Sequence, residues 1–182
     1  MGAERSMDYY NLPRYTFLEW EKWEGDWELI EGYPWAMSPS PSSKHQRVCG
    51  RLFIQMDQAL DGCGRCSAYL PINYRINEDT VLHPDISVVC DVAEEFLYLD
   101  QTPSIVVEVL SPSTAMKDLH IKAQLYAEQG IPYYLILHPD EEWVRVMVLA
   151  GARYEAAYEG KDGGFDFDLG ECKFQLQFAG IW

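Results

Sequence analysis

The spacing of apolar residues predicts three helices. Apolar positions recur every three or four residues across residues 43–60, which indicates a long amphipathic helix closed by an Asp-Gly pair. Thr16 and Glu19 form the T-x-x-E pattern of a capping box, so a short helix is expected over residues 16–25. A third helix is predicted over residues 119–129, where a Gly and a Pro follow the periodic stretch.

Runs of β-branched and aromatic residues predict strands around these helices. The expected central strands are residues 67–76, 81–90, 105–110 and 133–137. Hairpins are expected to pair residues 27–30 with 33–37 and residues 143–149 with 153–158, and a last extended stretch covers residues 165–182. A Ser/Pro-rich loop is predicted over residues 38–43.

The order of these elements predicts an α/β (α+β) fold. One strand–helix–strand unit over residues 105–137 is expected to cross a central mixed sheet, with helices on its faces and antiparallel hairpins at its edges. We predict one domain over residues 1–182, in which residues 1–14 form a loosely ordered arm. No repeat, heptad pattern or linker divides the chain.

Composition excludes several classes of protein. The chain has 182 residues, of which 48% are hydrophobic and 14% aromatic, so it can bury a core and is unlike a disordered acidic tail. The sequence has no apolar segment of about 18 residues, so no membrane span is predicted. The net charge of −15, from 29 acidic and 14 basic residues, repels nucleic acids at long range unless a local basic or metal-bridged site compensates.

The cysteine pattern favours a reducing, cytoplasmic setting. Five cysteines are an odd count, and no secretory signal precedes them. Cys63 and Cys66 have the C-x-x-C spacing of a zinc or redox half-site. The other cysteines are scattered and no second C-x-x-C completes four ligands, so the spacing alone gives this role little support.

Two acids lie where the sequence predicts core strands. Asp85 and Glu108 are each flanked by apolar, mostly β-branched residues, and a buried carboxylate must be paired, metal-bound or protonated. A divalent cation would relieve the repulsion between two such acids on adjacent strands. The alternative is a buried salt bridge of Glu108 with Arg75, Lys117 or Lys122, or a strand end that reaches water.

Lys122 is placed to approach Glu108 because it lies on the helix that follows the Glu108 strand. Its simplest alternative role is a helical pair with Asp118 at i, i+4. Together, however, Asp85, Glu108 and Lys122 supply two metal-binding carboxylates and one cation. These groups can position water and offset charge in phosphodiester hydrolysis.

Several motifs in this region resemble a known family. They are HPDISVV at residues 83–89, PSIVVEVLSPST at 103–114, then Asp118, Lys122 and Tyr126, GIP at 130–132, WELIEG at 27–32, and SPSP at 38–41 with His45. The chain is similar in these segments, over most of residues 15–140, to the Uma-two family of restriction endonucleases in the PD-(D/E)XK nuclease superfamily.

The resemblance implies a restriction-endonuclease-like fold and DNA cleavage that depends on Mg²⁺, with Mn²⁺ as a substitute. It implies Asp85 and Glu108 as metal ligands and Lys122 as the catalytic lysine. In the parent superfamily this lysine stands two residues after the glutamate, where this chain has Leu110, and Lys122 matches its relocated position in the family.

The resemblance also implies an early acid, which Glu28 matches and for which Glu31 is a weaker alternative. A hairpin with solvated acids would explain both residues equally well. His45 and Asp118 are accessory candidates, although a lone histidine is more often structural.

The strand over residues 133–138 departs from the family pattern. Tyr133, Leu135 and His138 replace an acid, a tryptophan and an aspartate, which puts a supporting role of that strand in doubt.

The predicted function is a metal-dependent endonuclease acting on DNA in the cytoplasm, with no membrane partner. Cleavage of two strands would favour a homodimer or a higher homo-oligomer. Few basic residues are available for DNA, namely Lys44, Arg47, Arg51, Lys117 and Lys122. Two alternatives stay open: a catalytically silent or weakened protein that serves as a protein-interaction module, and a hydrolase of another phosphate compound.

Overall fold

A computed structural model describes residues 12–37, 41–92, 95–111 and 117–182. The helices are α1 Phe17–Trp20, α2 Ser43–Asp61 and α3 Ala123–Glu128, the last continuing from a π-helical turn, Lys117–Lys122. The strands are β1 Trp27–Ile30, β2 Tyr33–Ala36, β3 Cys66–Tyr69, β4 Tyr74–Asn77, β5 Thr80–Leu82, β6 Ile86–Cys90, β7 Ile105–Val109, β8 Tyr133–His138, β9 Trp143–Ala150, β10 Arg153–Gly160, β11 Gly164–Leu169 and β12 Cys172–Gln177. No helix among these residues is long and apolar enough to cross a membrane.

A six-stranded mixed sheet forms the centre of the fold. Its strand order is β10-β9-β8-β7-β6-β3, with β7 and β8 parallel and the other neighbours antiparallel. The parallel pair requires a crossover, which the π-helical turn and α3 provide. The predicted α/β (α+β) class and the strand–helix–strand unit are therefore confirmed.

Strand β7 has both faces covered. Val107 and Val109 pack in the core that α2 covers, whereas Val106 packs on the other side in a cluster that contains Tyr126 of α3. Side chains alternate along a strand, so Glu108 points to the same side as Val106. The sequence thus directs one carboxylate into the apolar layer between the sheet and α3.

Two smaller sheets border the central one. The first has the order β2-β1-β5-β4 and is covered by α1, whose Phe17 and Trp20 pack against Leu29 and Val81. The capping box at Thr16 and Glu19 is present, as predicted. The second is the β11–β12 hairpin, which contributes apolar residues to the core beneath α2.

Some predicted elements differ from the observed ones. The predicted strands 67–76 and 81–90 each divide into two, because Pro71 and Pro84 cannot donate the amide hydrogen bond that a continuous ladder needs. The stretch 165–182 contains a hairpin that turns at Gly170, whose φ of 81° favours glycine.

Other predictions are tested only in part. The Ser/Pro loop at 38–43 and the proposed arm at 1–14 lie partly outside the described residues, as does the SPST segment after β7. The described fold also brings the scattered cysteines together, against the expectation from their spacing.

Candidate active site

The ammonium group of Lys122 lies between two buried carboxylates. Its Nζ is 2.8 Å from Oε1 of Glu28 and 2.8 Å from Oε1 of Glu108. The three residues are between 0% and 3% exposed, and among the described residues they are the only charged ones that are buried. A triad of this kind is stable only when its members pair with one another, because each isolated charge would carry a large desolvation cost.

Local helix geometry explains how Lys122 reaches Glu108. Lys122 ends the π-helical turn and Tyr126 lies four residues further on, so both side chains extend from one face toward the sheet. The Tyr126 hydroxyl donates a hydrogen bond of 2.7 Å to Oε1 of Glu108. That carboxylate oxygen therefore accepts from both an ammonium and a phenol.

Glu28 enters the site from the neighbouring sheet. Strand β1 pairs with β5 through Leu29 and Val81, which places Glu28 close to the chain that leaves β5. The backbone amide of His83, in that segment, donates to Oε1 of Glu28 over 2.9 Å. Glu28 is thus fixed by one backbone donor and by Lys122.

Asp85 lies beside Glu108 at the entry to β6. The amide of Asp85 donates to the Val107 carbonyl over 3.1 Å, and its Oδ2 accepts from the Val109 amide over 2.7 Å. Both of these backbone groups adjoin Glu108 in the chain, so Asp85 lies directly alongside it. The Asp85 side chain is 20% exposed, which makes it the more accessible of the two acids.

His45 contacts Asp85 from α2. Its Nε2 is 3.4 Å from Oδ2 of Asp85, and its side chain is 13% exposed. The Ser42 hydroxyl caps the helix by accepting from the His45 amide, which fixes the first turn next to Asp85. The structure therefore brings His45 to the predicted site.

The site shifts the proton affinities of its neighbours. Burial, and then the charges of Asp85 and Glu108, raise the pKa of the Cys49 thiol to about 12. Burial, then the Glu108 charge, raises the pKa of Tyr126 well above its ordinary value. Burial lowers the pKa of His83, although the nearby Glu28 charge opposes this effect. Tyr126 and His83 are therefore neutral at pH 7.

The residues fit a divalent cation by charge and by donor type. Glu28 and Glu108 contact Lys122 and Asp85 lies beside Glu108, so three carboxylates and one lysine leave a formal charge of −2 before His45 is counted. Carboxylate oxygens are the donors that Mg²⁺ and Mn²⁺ prefer. Asp85 and Glu108 are the pair that could hold such an ion, because Asp85 adjoins Glu108 and is partly open to solvent.

Two accessory candidates do not join this cluster. Glu31 is exposed in the β1–β2 turn, after β1 ends at Ile30, with a φ of 50°. Of the two early acids, Glu28 contacts Lys122 and Glu31 faces solvent. Asp118 lies in the π-helical turn, but its side chain is outside what the structure describes.

The sequence did not reveal all of the polar partners. Tyr126 belongs to one of the family-like motifs, and its position four residues after Lys122 indicates a shared helix face. The backbone donors at His83 and Val109 have no sequence signal, because they depend on which strands meet.

The departures on β8 lie away from the acids. Glu108 is in register with Ile136, and Leu135 points into the core beneath α2. His138 accepts from the Glu141 amide at the end of the strand, over 3.0 Å.

A cavity of about 220 Å³ adjoins the site on the His83 side. His83 lines it, and its Nδ1 lies 2.7 Å from Oδ1 of Asn73, another lining residue. The remaining wall includes the aromatic residues Trp20, Trp23, Trp27 and Tyr98 and the acids Glu21 and Asp26. Glu28 does not line this cavity, but it accepts from the amide of His83, which does.

Most of the basic residues expected to assist DNA binding are engaged elsewhere. Lys44 pairs with Asp140 at 3.4 Å, and Arg51 donates to the carbonyls of Gly180 and Trp182. Lys122 is buried, and the Lys117 side chain lies outside the described structure. Arg47 is exposed on α2.

Comparisons with known proteins identify the family of this chain. Residues 13–163 match the model of the Uma2 (Uma-two) family, whose description is "Putative restriction endonuclease". The uncharacterized protein slr1290 of Synechocystis sp. is 34% identical over 126 residues, or 67% of this chain and 65% of that protein. The match thus spans just under two thirds of that relative.

A solved structure shares the fold. It is a crystal structure from Anabaena variabilis, described as a putative nuclease belonging to DUF820. The two structures superpose with a TM-score of 0.67 and 21% sequence identity, covering 78% of this chain and 83% of that chain. The α+β architecture described above is therefore that of this nuclease-like relative.

Proposed function

The chain belongs to the Uma2 family, and on that premise we propose that it is a metal-dependent endonuclease that hydrolyses DNA phosphodiester bonds. One observation carries the proposal: a buried lysine contacts Glu28 and Glu108, and Asp85 lies beside Glu108. Catalytic groups are commonly held in such arrangements of buried, mutually charged side chains.

Asp85 and Glu108 would hold the Mg²⁺ or Mn²⁺ ion. When bound, such an ion supplies Lewis-acid activation of the phosphate and a more acidic water at neutral pH. The ion also offsets the remaining negative charge of the three carboxylates.

Lys122 is the positively charged group of the proposed site. Its two carboxylate contacts fix the ammonium in position, so it stabilises negative charge that develops on the phosphate without having to reorganise. Burial in a low-dielectric layer strengthens this interaction relative to an exposed lysine.

Tyr126, Glu28 and His45 act as positioning residues in this proposal. Tyr126 orients the Glu108 carboxylate, Glu28 holds the ammonium from the other side, and His45 restrains Asp85. Such supporting contacts determine how well the ligands are aimed at a metal.

DNA is proposed as the substrate because of the family and in spite of the charge. The net charge of −15 and the few free basic residues predict weak affinity for DNA beyond the site itself. The bound metal would therefore contribute a large share of the attraction for the scissile phosphate.

Cleavage of supercoiled plasmid DNA tests the proposal directly. We expect nicking with Mg²⁺ or Mn²⁺ and none with a chelator. Asp85→Asn and Glu108→Gln should each reduce the rate by about a hundredfold or more, because they remove a charged metal ligand. Glu31→Gln is the matched control, since this acid is exposed in the turn and should leave the rate unchanged.

Other outcomes reject the proposal in distinct ways. A melting temperature that rises with Mg²⁺, together with no cleavage of any nucleic acid, would indicate another phosphate substrate. No rise in melting temperature and no cleavage, with Asp85→Asn and Glu108→Gln changing only stability, would indicate an interaction module built on ion pairs.

A further inference from the structure

Four of the five cysteines meet at one edge of the central sheet. Cys63 lies in the turn after α2, Cys66 begins β3, Cys90 ends β6 and Cys172 begins β12. Cys66 and Cys90 are direct neighbours in the β3–β6 register. Asp85 precedes the start of the same strand that Cys90 ends, so this cluster is separate from the carboxylate site.

The sulfur atoms form one group rather than two isolated pairs. The structure joins Cys63 to Cys172 and Cys66 to Cys90 as disulfides. The Sγ atoms of Cys63, Cys66 and Cys172 nevertheless lie within 4.8 Å of one another, and Cys90 adjoins this group through its bond to Cys66. The fifth cysteine, Cys49, is buried elsewhere beside Asp85.

We propose that in the reduced chain Cys63, Cys66, Cys90 and Cys172 bind one zinc ion as a structural tetrathiolate site. Zinc takes four thiolates at about 2.3 Å in a tetrahedron, which places the sulfur atoms about 3.8 Å apart. The sulfur atoms of Cys63, Cys66 and Cys172 already lie within 4.8 Å of one another, and Cys90, the register partner of Cys66, would supply the fourth thiolate.

The backbone of the C-x-x-C segment turns sharply after α2. Gly64 adopts a φ of 66°, which favours glycine, and its amide donates to the Leu60 carbonyl at the end of α2. The turn brings Cys63 and Cys66 close together, but they do not bond each other. Cys63 bonds Cys172 of β12, and Cys66 bonds Cys90 of β6.

A salt-bridge network outside the sulfurs holds the same strand ends together. Arg65, inside the C-x-x-C segment, donates to Asp91 over 2.8 and 2.9 Å and also to Glu171. Asp91 follows Cys90 and Glu171 precedes Cys172, so one guanidinium links the neighbours of the ligands.

Solvent reaches the cluster, and the site would have a clear structural role. A cavity of about 280 Å³ is lined by Cys66, Cys90 and Cys172, which provides an entry path for a metal. The ligands span 109 residues of sequence and tie the β11–β12 hairpin to the edge strands of the central sheet. Binding exchanges thiol protons for the metal, with up to four protons released per zinc.

Zinc content of the reduced full-length protein tests the proposal. The chain is purified with a reductant and zinc, dialysed against metal-free buffer, and analysed for zinc by mass spectrometry. We expect one zinc per chain, and five titratable thiols after unfolding with a chelator. Cys172→Ser should lose the metal, whereas Cys49→Ser is the matched control and should retain it.

A second measurement uses only the unsubstituted chain, in case Cys172→Ser does not fold. Co²⁺ added to the reduced protein should give the intense visible absorption of tetrahedral cobalt thiolate, and Zn²⁺ should abolish it. Five thiols with no bound metal would overturn the proposal, because oxidation could not then explain the failure. A single thiol in protein that was reduced and zinc-loaded would overturn it in favour of two disulfides.

Discussion

Lys122 Nζ lies 2.8 Å from Glu108 Oε1, although Glu108 belongs to strand β7 and Lys122 to the π-helical turn before α3. The contact lies in an apolar layer, and Glu28 binds the same ammonium from a second sheet. The lysine therefore joins the central sheet, the β1 sheet and the α3 segment in one electrostatic unit. Its removal affects both the stability of the fold and the proposed chemistry.

Replacement of Lys122 should destabilise the protein strongly. Lys122→Met leaves two buried carboxylates without their shared cation, and the expected loss is about 3–5 kcal/mol in the free energy of unfolding, measured with urea. Mg²⁺ should recover part of this loss, because it adds positive charge beside Glu108. Lys161→Met is the control, since Lys161 forms an exposed pair with Glu142 and should have a much smaller effect. Equal effects of the two substitutions would contradict the account.

Removal of the Tyr126 hydroxyl should lower both stability and cleavage, whereas removal of the Tyr154 hydroxyl should lower stability alone. Tyr126→Phe loses a hydrogen bond to a charged acceptor and should cost about 1.5–3 kcal/mol. It should also slow cleavage, because Glu108 is less well oriented. Tyr154→Phe loses a hydrogen bond to the Ile131 carbonyl and should cost about 0.5–1.5 kcal/mol with no change in cleavage. If both variants cleave DNA at the same rate, Tyr126 has no positioning role.

The two early acids should differ in their effect on cleavage. Glu28→Gln weakens the position of Lys122 and should reduce the rate by about tenfold or more, as other supporting residues of metal sites do. Glu31→Gln, three residues further on, should cleave like the unsubstituted protein. Rates are compared with plasmid DNA at a saturating Mg²⁺ concentration. A loss of activity in Glu31→Gln alone would reverse the assignment.

The stability of the protein should fall as the pH drops below that at which a free histidine titrates. Burial lowers the pKa of His83 from its ordinary value of 6.5, so the unfolded chain takes up a proton before the folded chain does. Stability is then complete above about pH 6.5 and declines toward the lower folded pKa, by at most about 1.4 kcal/mol per pH unit for one proton. Urea unfolding without metal, between about pH 8 and pH 5, measures this slope.

His83→Gln should reduce that slope because it removes the titrating group. His138→Gln serves as the control, since His138 lies at the far end of β8 and is partly exposed. An unchanged slope in His83→Gln would show that other groups account for the acid dependence.

The local pattern of the sequence predicts the elements that carry the site. Strong β-branched runs predict β7 and β8, and the intervening helical pattern predicts the crossover that returns Lys122 to Glu108. The acids are conspicuous because carboxylates are costly in such strands. These features depend on short-range periodicity, which a single sequence records.

Long-range pairing is the part that the sequence does not record. Three cations were open as partners of Glu108, and only the fold shows that Arg75 binds Asp100 whereas Lys122 binds Glu108. The convergence of Cys63 with Cys172 likewise depends on how the last hairpin packs, because no short spacing relates residues 109 positions apart.

Asp85 and Glu108 are proposed to hold a divalent cation next to Lys122. Crystals soaked in Mn²⁺, with anomalous diffraction recorded near the manganese edge, would locate this ion. We expect one anomalous peak within ligand distance, about 2.0–2.3 Å, of carboxylate oxygens of both Asp85 and Glu108, and loss of that peak in Glu108→Gln. A saturating soak that leaves no peak between these two acids would contradict it.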